Sequence, residues 1–284
     1  MKEPIIKKYP TEIFCHAFTD KSDEAKSALE QQYCSFLKGT CTKPRKSEPH
    51  IKVGVCSLGY KGSFTDNFLP VIICPQRFRE NIVFETIRTQ YLSHWENIEW
   101  VSEVTIGVGG NVDYVAVTKN NDGEIIDFLC VEFQAGGTTG SPWQAVLEYK
   151  EHGKFLHDSY NYGINWANEF MKTMMQQVYK KGKIIEHWHH KIIFVVQDIA
   201  IDYLKHAVDA NDLRPKDEFD PIQFCTFKMK WVDSKWTLEF HEITSTDLEG
   251  INRILGGSHS DNYPSVEDFK KSILRKGKID GVFQ

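Results

Sequence analysis

The spacing of apolar and polar positions divides the chain into a helical beginning, an extended centre and a mixed second half. Over residues 22–39, Leu29, Tyr33, Phe36 and Leu37 recur at helical spacing behind a polar start, and Gly39 supplies a stop, which predicts an amphipathic helix. Residues 40–56 carry Pro44 and Pro49 and read as a loop. The run FLPVIICP (68–75) predicts a short strand, and 77–95 a second helix. Residues 100–135 hold three extended runs, of which VDYVAV and IIDFLCVEF are joined by KNNDGE; its Asn-Asp-Gly marks a hairpin. Ser141 as a cap and Pro142 at the first helical position open a helix over 141–153. A helix over 162–183, a buried-type strand at 191–198 and a helix near 199–209 follow. Strands at 222–232 and 235–244 and polar-capped helices at 245–257 and 265–277 complete the pattern. This order predicts one α/β core with a cysteine-rich insert near its start.

Composition narrows the class. The 284 residues are 41% hydrophobic and 26% charged, the balance of a soluble globular protein. No window approaches the roughly 20 apolar residues of a membrane span, and the N-terminus lacks the apolar core of a secretory signal, so a cytoplasmic protein without a membrane partner is expected. A net charge of −5 argues against a protein devoted to coating nucleic acid. It still permits a local basic groove, because DNA feels charge only within a Debye length of ~8–10 Å. Of seven cysteines, Cys15, Cys34, Cys41, Cys56 and Cys74 crowd the first quarter. Without an export signal such a cluster reads as metal-binding sooner than as disulfides, with zinc or iron as the ions that four thiolates suit. Cys15, beside His16, is a substitute ligand, and Cys130 and Cys225 lie in strands and read as core. The loop between these cysteines carries Lys38, Lys43, Arg45, Lys46 and Lys52, a charge density that suits contact with a phosphate backbone as well as plain solvation.

The candidate chemistry lies in the central strands. Asp113 begins one strand and Glu132 comes near the end of the next, and the hairpin makes the two strands neighbours. Two carboxylates so placed can share a hard divalent cation such as Mg²⁺, which neutralises phosphate charge and acidifies a bound water. Gln134 falls on the same strand face as Glu132, where it can orient that water without adding charge. The apolar surroundings in CVEF oppose the plainer reading of loop-edge carboxylates, since a buried carboxylate is costly unless paired or metal-bound. Glu103 is a further acidic residue of the same meander. The GVGG run (107–110) lacks the Lys-Ser/Thr of a phosphate loop and reads as flexibility before Asp113. The three histidines of EHWHHK (186–191) read as a surface turn. The basic runs KKGK (180–183) and KKSILRKGK (270–278) either line a DNA groove or are exposed helix faces.

The arrangement Asp113 … Glu132-Phe133-Gln134 resembles the Asp…Glu-x-Lys signature of the PD-(D/E)XK nucleases, with glutamine where most members carry lysine. QYCSFLKGTCTKPRK, VGVCS and VIICPQRF, with VEFQ, resemble the NotI restriction endonuclease family, and the similarity continues through IIFVVQDIAIDYLKH. The resemblance implies a PD-(D/E)XK core, a central mixed sheet flanked by helices over 77–284, preceded by an N-terminal region (1–76) with a four-cysteine metal-binding module. It implies a type II restriction endonuclease that cuts double-stranded DNA with Mg²⁺, with Glu103, Asp113 and Glu132 as metal ligands and Gln134 in the lysine's place. It further implies one iron held by Cys34, Cys41, Cys56 and Cys74. A symmetric DNA target favours a homodimer. A repair nuclease, or a DNA-binding protein on a degenerate nuclease core, are the competing readings.

Overall fold

A computed structural model describes residues 2–256, 265–267 and 270–271. The N-terminal part contributes β1 (Pro10–Ile13), β2 (His16–Ala17), α1 (Asp23–Gln31), β3 (Val55–Tyr60) and β4 (Leu69–Ile72). Next come α2 (Asn81–Tyr91), β5 (Glu99–Thr105), β6 (Asn111–Lys119), β7 (Ile125–Gln134) and α3 (Trp143–His152). A π-helical stretch over Trp166–Met174 runs into α4 (Met175–His187). Then follow β8 (Ile192–Gln197), α5 (Asp198–Ala207), β9 (Arg214–Pro215), β10 (Ile222–Val232), β11 (Lys235–Thr246) and α6 (Leu248–Ile254).

The main sheet has seven strands in the order β9-β11-β10-β8-β7-β6-β5. Its centre, β7-β8-β10, is parallel, and its flanks are antiparallel, so it is a mixed sheet. A parallel strand is covered on both faces, and every residue of β8, Ile-Ile-Phe-Val-Val-Gln, is buried. Alternation sends Cys130, Phe194, Val196 and Phe224 to one face, where they meet Val178 and Ile185 of α4. It sends Val131, Phe133, Ile193 and Cys225 to the other, against Val83 and Ile87 of α2. A second sheet, β2-β1-β3-β4, shares the first of these cores through Val55, Leu58 and Val71.

One buried guanidinium ties the layers together. Arg77 is fully buried, and its Nε donates to both carboxylate oxygens of Glu12 at 3.1 Å. Its other nitrogens donate to Glu80 and, at 2.8 Å, to the carbonyl of Trp236 on β11. Glu12 also accepts from the Ser57 hydroxyl at 2.7 Å, and Glu80 accepts from the Leu238 amide at 2.9 Å. A buried ion pair is tolerable when further hydrogen bonds accompany it, and each of the three Arg77 side-chain nitrogens has a partner.

Several local expectations change. The first helix ends at Gln31, because Gln32 turns left-handed (φ 54°) and spends its side chain on the backbone of His50 and Lys52. The chain then forms a ribbon of Tyr33–Cys34 with Gly39–Thr40, and the loop over 40–56 contains another, Pro44–Arg45 with Glu48–Lys52. The helix expected from 162 begins later, since Tyr162–Ile164 pairs as a strand with Thr138–Gly140. The helix expected from Ser141 also starts later: Pro142 is the cap residue of α3, and the Ser141 hydroxyl, one position outside it, accepts from the Trp143 amide at 3.2 Å. The last expected helix, 265–277, lies largely outside the described residues, as does most of the 270–278 basic run.

Close packing of α4 on the sheet depends on Gly182. A Cβ there would strike the Ile222 side chain, lying 3.0 Å from Cγ1. Gly182→Ala should therefore lower the urea midpoint by an overpacking cost of ~1–3 kcal/mol, only partly offset by alanine's better helix propensity of ~1 kcal/mol. Lys183→Ala, at the exposed neighbouring position, should leave the midpoint almost unchanged. Equal stability of the glycine variant and wild type would show that the helix can stand off from the sheet.

Candidate active site

The hairpin register puts the predicted carboxylates side by side. Tyr114 lies opposite Val131, so Asp113 and Glu132 are next to each other across β6 and β7. The Phe133 amide donates to Asp113 Oδ2 at 2.8 Å, which pins the aspartate at the β7 edge. Glu132 is buried, whereas Asp113 and Gln134 are half-buried. All three line an open cleft of about 470 Å³ together with Asn111, Gln177 and Lys181. Gln134 Nε2 donates to Gln177 Oε1 of α4 at 3.0 Å.

Glu103 lies outside that lining. Val112 is opposite Val104 and Tyr114 opposite Ser102, which leaves Asp113 and Glu103 facing each other at an unpaired step of the ladder. Glu103 has a left-handed backbone (φ 56°) and is exposed, and its charge reaches Asp113, helping to raise the aspartate's pKa. It sits at the rim of the site.

Lys181, from the KKGK run, is the residue whose role its sequence context conceals. It is almost fully buried and donates from Nζ to Glu132 Oε1 and, at 2.7 Å, to the carbonyl of Asn111. The GVGG run helps hold it there: the position a Gly109 Cβ would take lies 3.4 Å from Lys181 Cγ and 3.2 Å from Ile184 Cδ1. The glycines therefore let a turn pack on α4, with Gly107 and Gly110 left-handed at φ 66° and 82°. The signal in the sequence is a lysine one residue before a glycine, a pattern whose meaning appears only when the helix is docked.

Burial raises the Glu132 carboxyl to a pKa of about 7, against the pull of the Lys181 ammonium and with a further push from Asp113. Asp113 is raised as well, again chiefly by burial. The spot between Glu132 and the Asn111 carbonyl already holds a positive group, the lysine ammonium. Hard oxygens there fit the chemistry of a small divalent cation. Among the described residues, however, no group of three or more His, Cys, Asp or Glu side chains is arranged as a metal site.

The cysteines converge, with a changed centre. Cys15, the expected substitute, lies 3.5 Å from Cys34, and its sulfur also accepts from Cys56; these contacts hold its thiol far below the ordinary range. Cys74 lies nearby and is half-buried; desolvation raises its pKa, with Cys41 and Cys15 adding to the upward shift. All seven cysteines are free of disulfides. The β1–β2 turn that presents Cys15 has two left-handed residues, Phe14 (φ 46°) and Cys15 (φ 70°), where asparagine and glycine would be usual. Cys130 and Cys225 are core, as expected. Much of the basic loop is engaged internally: Lys43 on the Ile73 carbonyl, Arg45 on Glu48 and Lys52 on the Pro49 carbonyl. Of the three-histidine run, His187 is the last residue of α4, Trp188 and His189 form the turn, and His190 stacks on Phe128 with ring centroids 4.0 Å apart.

The raised Glu132 pKa fixes a pH dependence of stability. An acid whose folded pKa lies above its unfolded value of about 4.5 favours the fold at low pH, and that advantage is lost as pH rises through about 7. Without divalent cations, Glu132→Gln should therefore gain stability on wild type between pH 5 and pH 8, by on the order of 1–3 kcal/mol. Urea unfolding at the two pH values measures it, and a difference independent of pH would mean that Lys181 keeps Glu132 ionised throughout.

No helix among the described residues is long and apolar enough to cross a membrane. No curated protein matches the chain. The family model for restriction endonuclease NotI matches residues 17–217, which takes in the cysteine cluster from Cys34 onward, the meander that carries Asp113 and Glu132, and α4. With more than half of its length matched, the chain belongs to the NotI restriction endonuclease family, a family of DNA-cleaving hydrolases.

Proposed function

We propose that the protein is a type II, sequence-specific endonuclease that hydrolyses double-stranded DNA with Mg²⁺. The observation that carries this reading is the Asp113–Glu132 pair, set across a hairpin at the wall of an open cleft. The two carboxylates are the ligands for the ion, with Glu103 supplying negative charge from the rim, and the arrangement is read as a PD-(D/E)XK site. When bound, Mg²⁺ would neutralise the phosphate and acidify a water. Gln134 orients that water: its amide nitrogen is committed to Gln177, which leaves its carbonyl oxygen to accept from the nucleophile. A two-fold homodimer, each subunit cutting one strand of a symmetric site, fits this chemistry in a cytoplasmic protein.

In the N-terminal region (1–76), the reading includes one structural iron or zinc ion. Cys15 contacts both Cys34 and Cys56, and Cys41 and Cys74 lie close by, so Cys15 joins the four cysteines expected from sequence. A thiolate surrounded by buried thiols fits a soft cation. The nuclease core over 77–284 then rests on this module.

Asp113→Ala and Glu132→Ala should each slow cleavage by at least about 1,000-fold, while DNA binding in Ca²⁺ survives. Either variant cutting at near wild-type rate would overturn the site. Digestion of a long DNA separates the competing readings: discrete fragments indicate restriction, smears or flap products a repair nuclease, and binding without products a degenerate core.

Elemental analysis should find close to one iron or zinc per chain. Cys15→Ser, Cys34→Ser and Cys56→Ser should each lose it together with stability, since metal binding in thiolate sites contributes on the order of 10 kcal/mol of folding free energy. Metal-free protein that is stable and active would refute the metal, and retention in Cys15→Ser would return the ligand set to the other four cysteines.

A further inference from the structure

The strands that build the cleft supply it with negative charge and no cation. Asp113 and Glu132 are acids, and the next inward position on β7 is the neutral Gln134. Hydrolysis of a phosphodiester increases charge on the phosphate oxygens, and fixed cations aimed at that charge are a large source of rate enhancement. Two such groups line the cleft, Lys180 and Lys181, both on α4, and Lys180 is exposed. Lys181 enters from α4, lines the same cavity, and is almost fully buried.

An ammonium has three donors. Lys181 commits donors to Glu132 and to the Asn111 carbonyl, which leaves one for an incoming oxygen. Its position is built: Gly182 lets α4 approach Ile222, and Gly109 lets the turn before β6 close over the lysine stem. We propose that Lys181 is a catalytic residue, delivered from a helix in place of a strand lysine at position 134, and that its ammonium binds the scissile phosphate beside Glu132. This rests on reading the cleft as the nuclease site. In the reaction a water oxygen bonds to phosphorus and the bond to the leaving sugar oxygen breaks. That oxygen takes a proton from solvent, and the attacking water gives one up to solvent. Lys181 keeps its protons throughout.

The test compares Lys181→Met, which keeps the length and removes the charge, with Lys181→Arg and with Lys181→Met combined with Gln134→Lys. Cleavage is followed in single turnover with Mg²⁺, binding of the same DNA by fluorescence anisotropy with Ca²⁺, and folding by urea unfolding. Lys181→Met is expected to cut at least about 100-fold more slowly, with Ca²⁺-supported binding within about threefold of wild type. Tenfold more Mg²⁺ should not restore its rate, whereas a purely neutralising role would be taken over by the added cation. Lys181→Arg and the double variant should each recover at least about tenfold over Lys181→Met, because both return a cation to the cleft. If Lys181→Met does not fold, the double variant and Lys181→Arg decide: neither cutting above the background of Asp113→Ala overturns the proposal. Lys181→Met cutting within threefold of wild type also overturns it. Should Asp113→Ala then be inactive, only the lysine role falls; should Asp113→Ala cut as well, the nuclease reading of the cleft falls with it.

Discussion

Arg77 is the constraint on which the two sheets and the cysteine module jointly depend. Each of its three guanidinium nitrogens has a partner: Glu12 of β1, Glu80 at the head of α2, and the backbone of β11. It also lies 5.0 Å from the centre of the Phe36 ring, in the turn between Cys34 and Cys41. A planar group with fixed donor directions accepts few alternative geometries. Moving any one of these segments would leave a buried charge unpaired, which is far costlier than losing an apolar contact. The cysteine module is thus tied to the far hairpin of the main sheet by hydrogen bonds as well as by shared apolar burial.

The cleft shows the same economy of charge on a smaller scale. Glu132 could not be buried on a strand flanked by Val131 and Phe133 without a cation near it. The protein fills that need from α4, and two glycines remove the side chains that would have kept the helix and the turn apart. Burial, the raised carboxyl pKa and the docking of the lysine are therefore one arrangement seen from three sides.

Much of this is legible in the sequence. Asn-Asp-Gly locates the hairpin, and the hairpin places Asp113 beside Glu132, because register follows from a short turn. Alternation in IIDFLCVEFQ assigns Glu132 and Gln134 to one face. Lys181 shows in the sequence only as part of a basic run, since its partner lies 49 positions away and no local pattern encodes that contact. Cys15 ranks behind its neighbours there for a similar reason: two left-handed residues in a Phe-Cys turn are not suggested by those side chains. Gln32 shows the converse case, in which tertiary bonds to residues 50 and 52 end a helix that periodicity alone would have continued.

β7 and β8 are parallel neighbours, so the whole crossover between them, with α3, the π-helical stretch and α4, must be in place before β7 gains its inner partner. During synthesis the strands bearing Asp113 and Glu132 leave the ribosome well ahead of the helix bearing Lys181. An unfinished or prematurely terminated chain consequently carries acidic strands with no helix to wall the cleft and no ammonium to balance Glu132. Long-range topology therefore makes the cleft one of the last features of the fold to be assembled.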